Sequence, residues 1–98
     1  MVTIEQLKNK ISNYTKYLNE CVEKLCDITG ENYSILVEYP VKIYRVDITL
    51  MKDDKEFLKQ TTELCSKVDL YYNALPILFY KLMLKMNELM VTKLVTKD

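Results

Sequence analysis

The C-terminal third of the chain, residues 73–96, carries more apolar surface than one helix face can hold. Wound as an α-helix at about 100° per residue, it presents an apolar seam and, on the opposite side, a second apolar stripe. The seam consists of Leu75, Phe79, Leu82, Met86 and Leu89, widened by Leu78, Met83 and Met90. The second stripe consists of Ile77, Leu84 and Val91, flanked by Tyr80 and Leu94. One apolar face is enough to reach the core of a small domain, so the second stripe must contact either the middle segment of the chain or another molecule.

Length and composition limit the protein to one domain, residues 1–98. The 14 basic and 14 acidic side chains balance, which removes the bulk electrostatic attraction to nucleic acid or anionic lipid. Three cysteines, an odd number, without a signal-peptide pattern predict a reducing, cytoplasmic location. The abundance of Lys, Ile, Asn and Tyr is typical of AT-rich genomes, including those of many viruses and phages. The apolar run 74–84 contains Lys81 and is too short to span a bilayer, so no membrane segment is expected.

The N-terminal segment has the clearest helix signals. Thr3 and Gln6 form a capping-box pattern, and Val2 with Leu7 provides a hydrophobic staple. Gly30, the single glycine, stands where a left-handed C-terminal cap is needed. Apolar residues recur every three or four positions between these ends, at Ile4, Leu7, Ile11, Tyr14, Leu18, Cys21, Leu25 and Ile28. The pattern predicts one long, one-sided helix that packs inside a helical bundle; a free-standing coiled coil is the alternative.

Residues 33–50 change from the helical period to a period of two, which predicts strands. Tyr39-Pro40 suggests a tight turn between them, and the apolar phase slips at Ile43 and Tyr44, where we expect a bulge or bend. A two-stranded antiparallel ribbon is unstable alone in water, so it must lie on the helices, pair with a second copy, or both.

Asp53 with Glu56 predicts the start of a second helix, which would bury a face running from Phe57 to Tyr72. Pro76 then predicts a break or sharp kink at 73–76, before the last helix. The expected fold is therefore α+β and mostly helical, in the order helix, two-stranded antiparallel ribbon, helix, helix, with the C-terminal helix central.

The sequence contains no recognisable motif for catalysis or for metal or phosphate binding. The chain has no histidine, which excludes His-based triads and the usual zinc ligand sets. Cys21 and Cys26 are five residues apart on a helix, an unsuitable geometry for binding a metal, and with Cys65 they are interpreted as core or half-buried thiols. One glycine cannot build a phosphate-binding loop. We therefore expect no enzyme activity, no cofactor and no metal.

Protein binding is the remaining class of function, and the second stripe favours it. The sequence predicts a small intracellular regulator, adaptor or inhibitor, which forms a homodimer and contacts a protein partner through Ile77, Tyr80, Leu84, Val91 and Leu94. Met83, Met86 and Met90 would suit an adaptable contact surface. A monomer whose ribbon covers the second stripe is the alternative architecture. Nucleic-acid binding through Lys42, Arg45 and Lys52 of the ribbon is the alternative function, disfavoured because acidic residues are interspersed with the basic ones.

Overall fold

The first helix, α1, forms where its capping signals predict it. The structure is a computed structural model that describes residues 1–39 and 44–96. α1 spans Ile4–Thr29, and both bonds of the capping box are present: the Gln6 amide donates to Thr3 Oγ1 at 3.0 Å, and the Thr3 amide donates to Gln6 Oε1 at 2.9 Å. Gly30 adopts a left-handed φ of 73°, and its amide donates to the Cys26 carbonyl at 2.8 Å. The predicted helix and both of its ends are therefore confirmed.

The sheet has three antiparallel strands rather than the predicted two. β1 spans Tyr33–Glu38, β2 spans Asp47–Lys52 and β3 spans Lys55–Thr61, and β2 lies in the middle. The second strand begins at Asp47, whereas the alternating sequence pattern predicts that it begins soon after Pro40. The predicted turn at Tyr39-Pro40 and the phase slip at Ile43 include residues 40–43, which lie outside the described part of the chain.

The helix predicted from Asp53 is wrong, because Asp53 and Asp54 form the two-residue loop of a β-hairpin. Both have left-handed backbones, with φ of 53° and 64°, and they connect the paired residues Lys52 and Lys55. Positive φ at both loop residues is the pattern of type I′ hairpin turns, and aspartate tolerates it better than most residues. The predicted N-cap and first turn are therefore the hairpin loop and the start of β3, in which Phe57 is the extra residue of a bulge opposite Leu50 and Met51.

The chain becomes helical again only after Ser66. The Ser66 hydroxyl accepts from the Asp69 amide at 3.1 Å and caps α2, Lys67–Asp69. A π-helical segment, Leu70–Ala74, follows directly and leads into α3, Leu75–Thr96. The predicted break at 73–76 is therefore wrong, because the helical run continues through Pro76 with a single wide turn before it. The other form of that prediction, a sharp kink, stays a prediction.

Lys10 of α1 completes the hydrogen bonding of that wide turn. The Leu75 amide donates to the Leu70 carbonyl, five residues back, and the next residue, Pro76, has no amide hydrogen. The Tyr71 carbonyl therefore lacks its usual helical donor, and Lys10 Nζ donates to it at 2.6 Å. The same ammonium lies 4.0 Å from the centroid of the Tyr71 ring. A side chain from the first helix thus stabilises the only irregular turn described in the last helical run.

α1, and not the predicted C-terminal helix, is the central element. It packs extensively against both α3 and β1, whereas the main contact of α3 with the sheet is a small one, at β3. The Tyr17 ring lies 5.5 Å from the Phe79 ring, and Cys21 Sγ lies 3.3 Å from Met83 Sδ, so the contacts advance in the same direction along both helices. α1 and α3 are therefore parallel. The core joins α1, the inner sheet face and one side of α3, and its fully buried members are Leu18, Leu25, Val46, Leu50, Leu70, Leu82 and Met86.

The hairpin loop gives a first test of the fold. Asp54→Gly should raise the free energy of unfolding by about 1 kcal/mol, because glycine adopts a positive φ without the steric cost that an L side chain incurs. Urea denaturation followed by circular dichroism measures the change. Asp27→Gly is the control, since it places glycine within α1, where it is a poorer helix former than aspartate, and should lower the free energy of unfolding by about 0.2–0.5 kcal/mol. Destabilisation by both variants would contradict the turn assignment.

The contact between Lys10 and the Tyr71 carbonyl gives a second test. Lys10→Met keeps most of the apolar stem and removes the donor, so we expect the free energy of unfolding to fall by about 1–3 kcal/mol. Lys8→Met, at an exposed position on the same helix, should change it by less than about 0.5 kcal/mol. Equal effects of the two substitutions in urea denaturation would show that Lys10 does not support the π-helical turn.

Candidate interaction surface on α3

α3 has a buried face and an exposed apolar face, as its sequence pattern predicts. Leu75, Leu78, Leu82 and Met86 are buried against the core, and Phe79, Met83, Leu89 and Met90 pack around them. On the other side, five apolar side chains are each 45–61% exposed: Ile77, Tyr80, Leu84, Val91 and Leu94. We call these five residues the outer stripe. They are the residues that the sequence singles out as an interface.

The sheet does not cover the outer stripe. The main contact of α3 with the sheet is at β3, and its buried face lies on α1, while the stripe residues remain 45–61% exposed within the described part of the chain. The alternative monomeric architecture, in which the ribbon lies over the second stripe, is therefore wrong for the described part of the chain. The reason is that the sheet lies on α1 through β1 and not on the far side of α3.

The methionines lie largely on the core side of α3. Met86 is buried, and Met83 receives the weak hydrogen bond from the Cys21 thiol. Met90 is half-buried against the core. The prediction that all three form an adaptable contact surface is therefore wrong for Met86, and Met83 and Met90 can contribute only at the edge of the outer stripe.

Charged side chains border the outer stripe along one edge. Lys81, Lys85 and Glu88 are exposed there, and Lys85 Nζ lies 3.4 Å from Glu88 Oε2. Asn87 is exposed within the stripe itself, between Leu84 and Val91. This arrangement of an apolar centre with a charged rim is typical of protein-binding surfaces.

Leu64 extends the apolar surface beyond α3, and sequence analysis missed it. The loop after β3 places Leu64, 66% exposed, beside Ile77 in an open cleft that Cys65, Asp69 and Lys81 also line. The sequence pattern predicts Leu64 on the buried face of a helix, and this prediction is wrong. The loop between β3 and α2 brings it to the start of the outer stripe instead. Helical or strand periodicity in the sequence cannot predict the position of a loop side chain.

The basic residues of the alternative nucleic-acid hypothesis have intramolecular partners. Arg45 lies 3.3 Å from Asp47, which is itself buried, and Lys52 lies 4.0 Å from Glu31 and 5.6 Å from the centroid of the Phe57 ring. Lys42 lies outside the described residues. The structure thus does not bring these side chains together into a basic surface among the residues it describes.

The thiols have the character of packed core groups. Burial raises the pKa of the Cys21 thiol and of the Cys65 thiol, which keeps both protonated and weakly nucleophilic near neutral pH. Cys26 receives the Tyr33 amide at 3.3 Å. No cluster of three or more acidic or cysteine side chains suited to a metal ion occurs in residues 1–39 and 44–96. None of the helices within those ranges is both long enough and apolar enough to cross a membrane.

Comparison of the chain with protein-family models, with curated proteins and with solved structures finds no match. The physical character of the outer stripe is therefore the basis for assigning a function.

The two faces of α3 should respond differently to the same substitution. Leu82 is 1% exposed, so Leu82→Ala should lower the free energy of unfolding by about 2–5 kcal/mol through lost burial and a cavity. Leu84→Ala, two residues away, should cost less than about 1 kcal/mol in dilute protein. Urea denaturation of both variants measures the contrast. A loss for Leu84→Ala as large as that for Leu82→Ala would mean that the chain itself covers the outer stripe.

Proposed function

We propose that this chain is a small intracellular regulator, adaptor or inhibitor that acts by occupying a protein surface with the outer stripe of α3, and that it forms a homodimer. The observation that carries the proposal is the row of five apolar side chains, each 45–61% exposed, along one helix face. Contiguous apolar surface of this kind on a small protein is characteristic of interaction sites.

The energetics favour a covered stripe. Fully burying a Leu, Ile or Val side chain contributes about 1.5–3 kcal/mol, so covering a half-exposed one contributes about 1 kcal/mol. A domain of this size has a net stability of only about 5–10 kcal/mol. The free energy that covering the five side chains would contribute is a substantial fraction of that stability. A twofold dimer covers the stripe with the surface already present, because the same patch meets its own copy.

The chemistry of the chain supports a role in binding rather than catalysis. The sequence contains no histidine, and burial keeps the Cys21 and Cys65 thiols protonated. The cleft that Leu64 and Ile77 line is open to solvent. A protein with these features acts through the surface it presents.

Leu84→Asp tests the proposal. Leu84 lies in the middle of the outer stripe and outside the core, so the variant should keep the circular dichroism spectrum of the unchanged protein. Size-exclusion chromatography with light scattering should show the mass of two chains for the unchanged protein and of one chain for the variant, because a carboxylate cannot be buried in an apolar contact.

Leu36→Asp is the matched control. Leu36 is 48% exposed on β1, close to the exposure of Leu84, and it lies away from the outer stripe. This variant should remain dimeric. A single-chain mass for the unchanged protein at high concentration would overturn the homodimer, and equal loss of dimer in both variants would remove the assignment to α3.

A further inference from the structure

The outer stripe has the spacing of a coiled-coil seam. With Asn87 included, its members are separated by three, four, three, four and three residues, which is the alternation of the a and d positions of heptads. All six seam positions are exposed: Ile77, Tyr80, Leu84, Asn87, Val91 and Leu94. This seam is distinct from the core face of α3, so the helix carries one surface for its own fold and one with the period of helix pairing.

The surface of the seam already has the shape that helix pairing requires. Leu84, Asn87, Glu88 and Val91 occupy positions i, i+3, i+4 and i+7, and together with Thr92 they surround a shallow depression. Four residues in this arrangement form the hole that receives one side chain of a facing helix. The natural occupant is therefore an α-helix with the same spacing.

The seam is complementary to a reversed copy of itself. When two copies of α3 lie antiparallel, with the twofold axis level with the peptide between Lys85 and Met86, Ile77 faces Leu94 of the other copy and Tyr80 faces Val91. Leu84 then faces Asn87. Each a position meets a d position, as antiparallel pairing requires.

The charges along the seam select the antiparallel orientation. Lys81 and Glu88 both lie on the same edge of the seam, and both are exposed. In an antiparallel pair this edge meets itself, so Lys81 of each copy reaches Glu88 of the other. In a parallel pair the same edge meets the opposite one, which carries Met83 and Met90 and no charge among the described residues of α3. The bond from Lys85 uses Oε2 of Glu88, and a carboxylate accepts at both oxygens.

The cleft at the start of α3 fits the same orientation. Leu64 and Ile77 line it, and the last turn of α3 is exposed at Leu94 and Val95. Antiparallel pairing places the last turn of one copy beside Ile77 and Leu64 of the other. Both ends of the stripe are then covered by the same contact, and Leu64, which lies outside the helix, gains a partner.

We infer that two copies of this chain associate through α3 as a short antiparallel coiled coil, with reciprocal ion pairs between Lys81 of one copy and Glu88 of the other. The inference rests on the proposed function, since it specifies the partner and the geometry of the outer stripe.

Charge reversal tests the orientation. Lys81→Glu and Glu88→Lys each replace two attractive pairs by two repulsive ones, and each should raise the dimer dissociation constant about tenfold or more at low salt. The double variant K81E/E88K should return the constant to within about threefold of the original value, because opposite charges again face each other across the dimer. Sedimentation equilibrium or light scattering over a concentration series measures these constants.

Mixing provides the decisive arm of the experiment. An equimolar mixture of K81E with E88K should form heterodimers about as tightly as the unchanged chain, because both pairs across that interface are attractive. Lys93→Glu, an exposed charge reversal off the seam on the same helix, is the matched control and should leave the constant unchanged within about twofold. The single-variant effects should also diminish in high salt.

The outcomes separate the two proposals. Rescue by the double variant and by mixing establishes antiparallel pairing. A dimer that dissociates with Leu84→Asp but is insensitive to both charge reversals retains the proposed function and overturns the antiparallel geometry. An unchanged protein that stays a single chain at all concentrations overturns both.

Discussion

The packing of α1 against two different neighbours is the constraint on which the rest of the structure depends. α1 contacts α3 through residues such as Tyr17 and Cys21, and it contacts β1 through the segment near Cys26. A chain of this length supports one hydrophobic core, and α1 lies in the middle of it. Because the sheet is held on α1, it cannot also cover the far side of α3. The outer stripe is exposed for this reason. We propose that the surface of a second protein covers it.

The junction before α3 decides which face of that helix turns toward α1. A π-helical turn adds one residue relative to a regular helix, which rotates everything after it by about 100°. Pro76 makes the wide turn favourable by removing an amide that a regular helix would use, and Lys10 supplies the hydrogen bond that the Tyr71 carbonyl would otherwise lack. Leu75, Leu78 and Leu82 then face the core, while Ile77, Tyr80 and Leu84 face outward. A local backbone irregularity is thus coupled to the exposure of the surface that we propose is functional.

The error at Asp53 shows why local signals alone were insufficient. Asp53 followed by Glu56 satisfies the pattern of a helix start, and aspartate is favoured equally at helix caps and in tight turns. The two assignments differ in what the following residues pair with. β2 has its central residues Ile48 to Leu50 buried, and its second edge needs hydrogen-bonding partners, which β3 provides through six paired residues. This requirement comes from the unpaired edge of β2, so it cannot be predicted from the sequence of residues 53–61 alone.

The sequence by itself determined α1, with its Thr3 and Gly30 ends, the strand character around residues 33–38, and the two apolar faces of α3. It also identified the five residues of the outer stripe. Capping and periodicity depend only on residues that are close together in the chain, so they can be recognised from the sequence. Tertiary structure decided the rest: the third strand, the continuous helix through Pro76, the central position of α1, and the exposure of Leu64 beside Ile77. Each of these depends on contacts between residues far apart in the chain, and the sequence pattern of one segment carries no information about which distant segment will satisfy its hydrogen bonds or cover its apolar face.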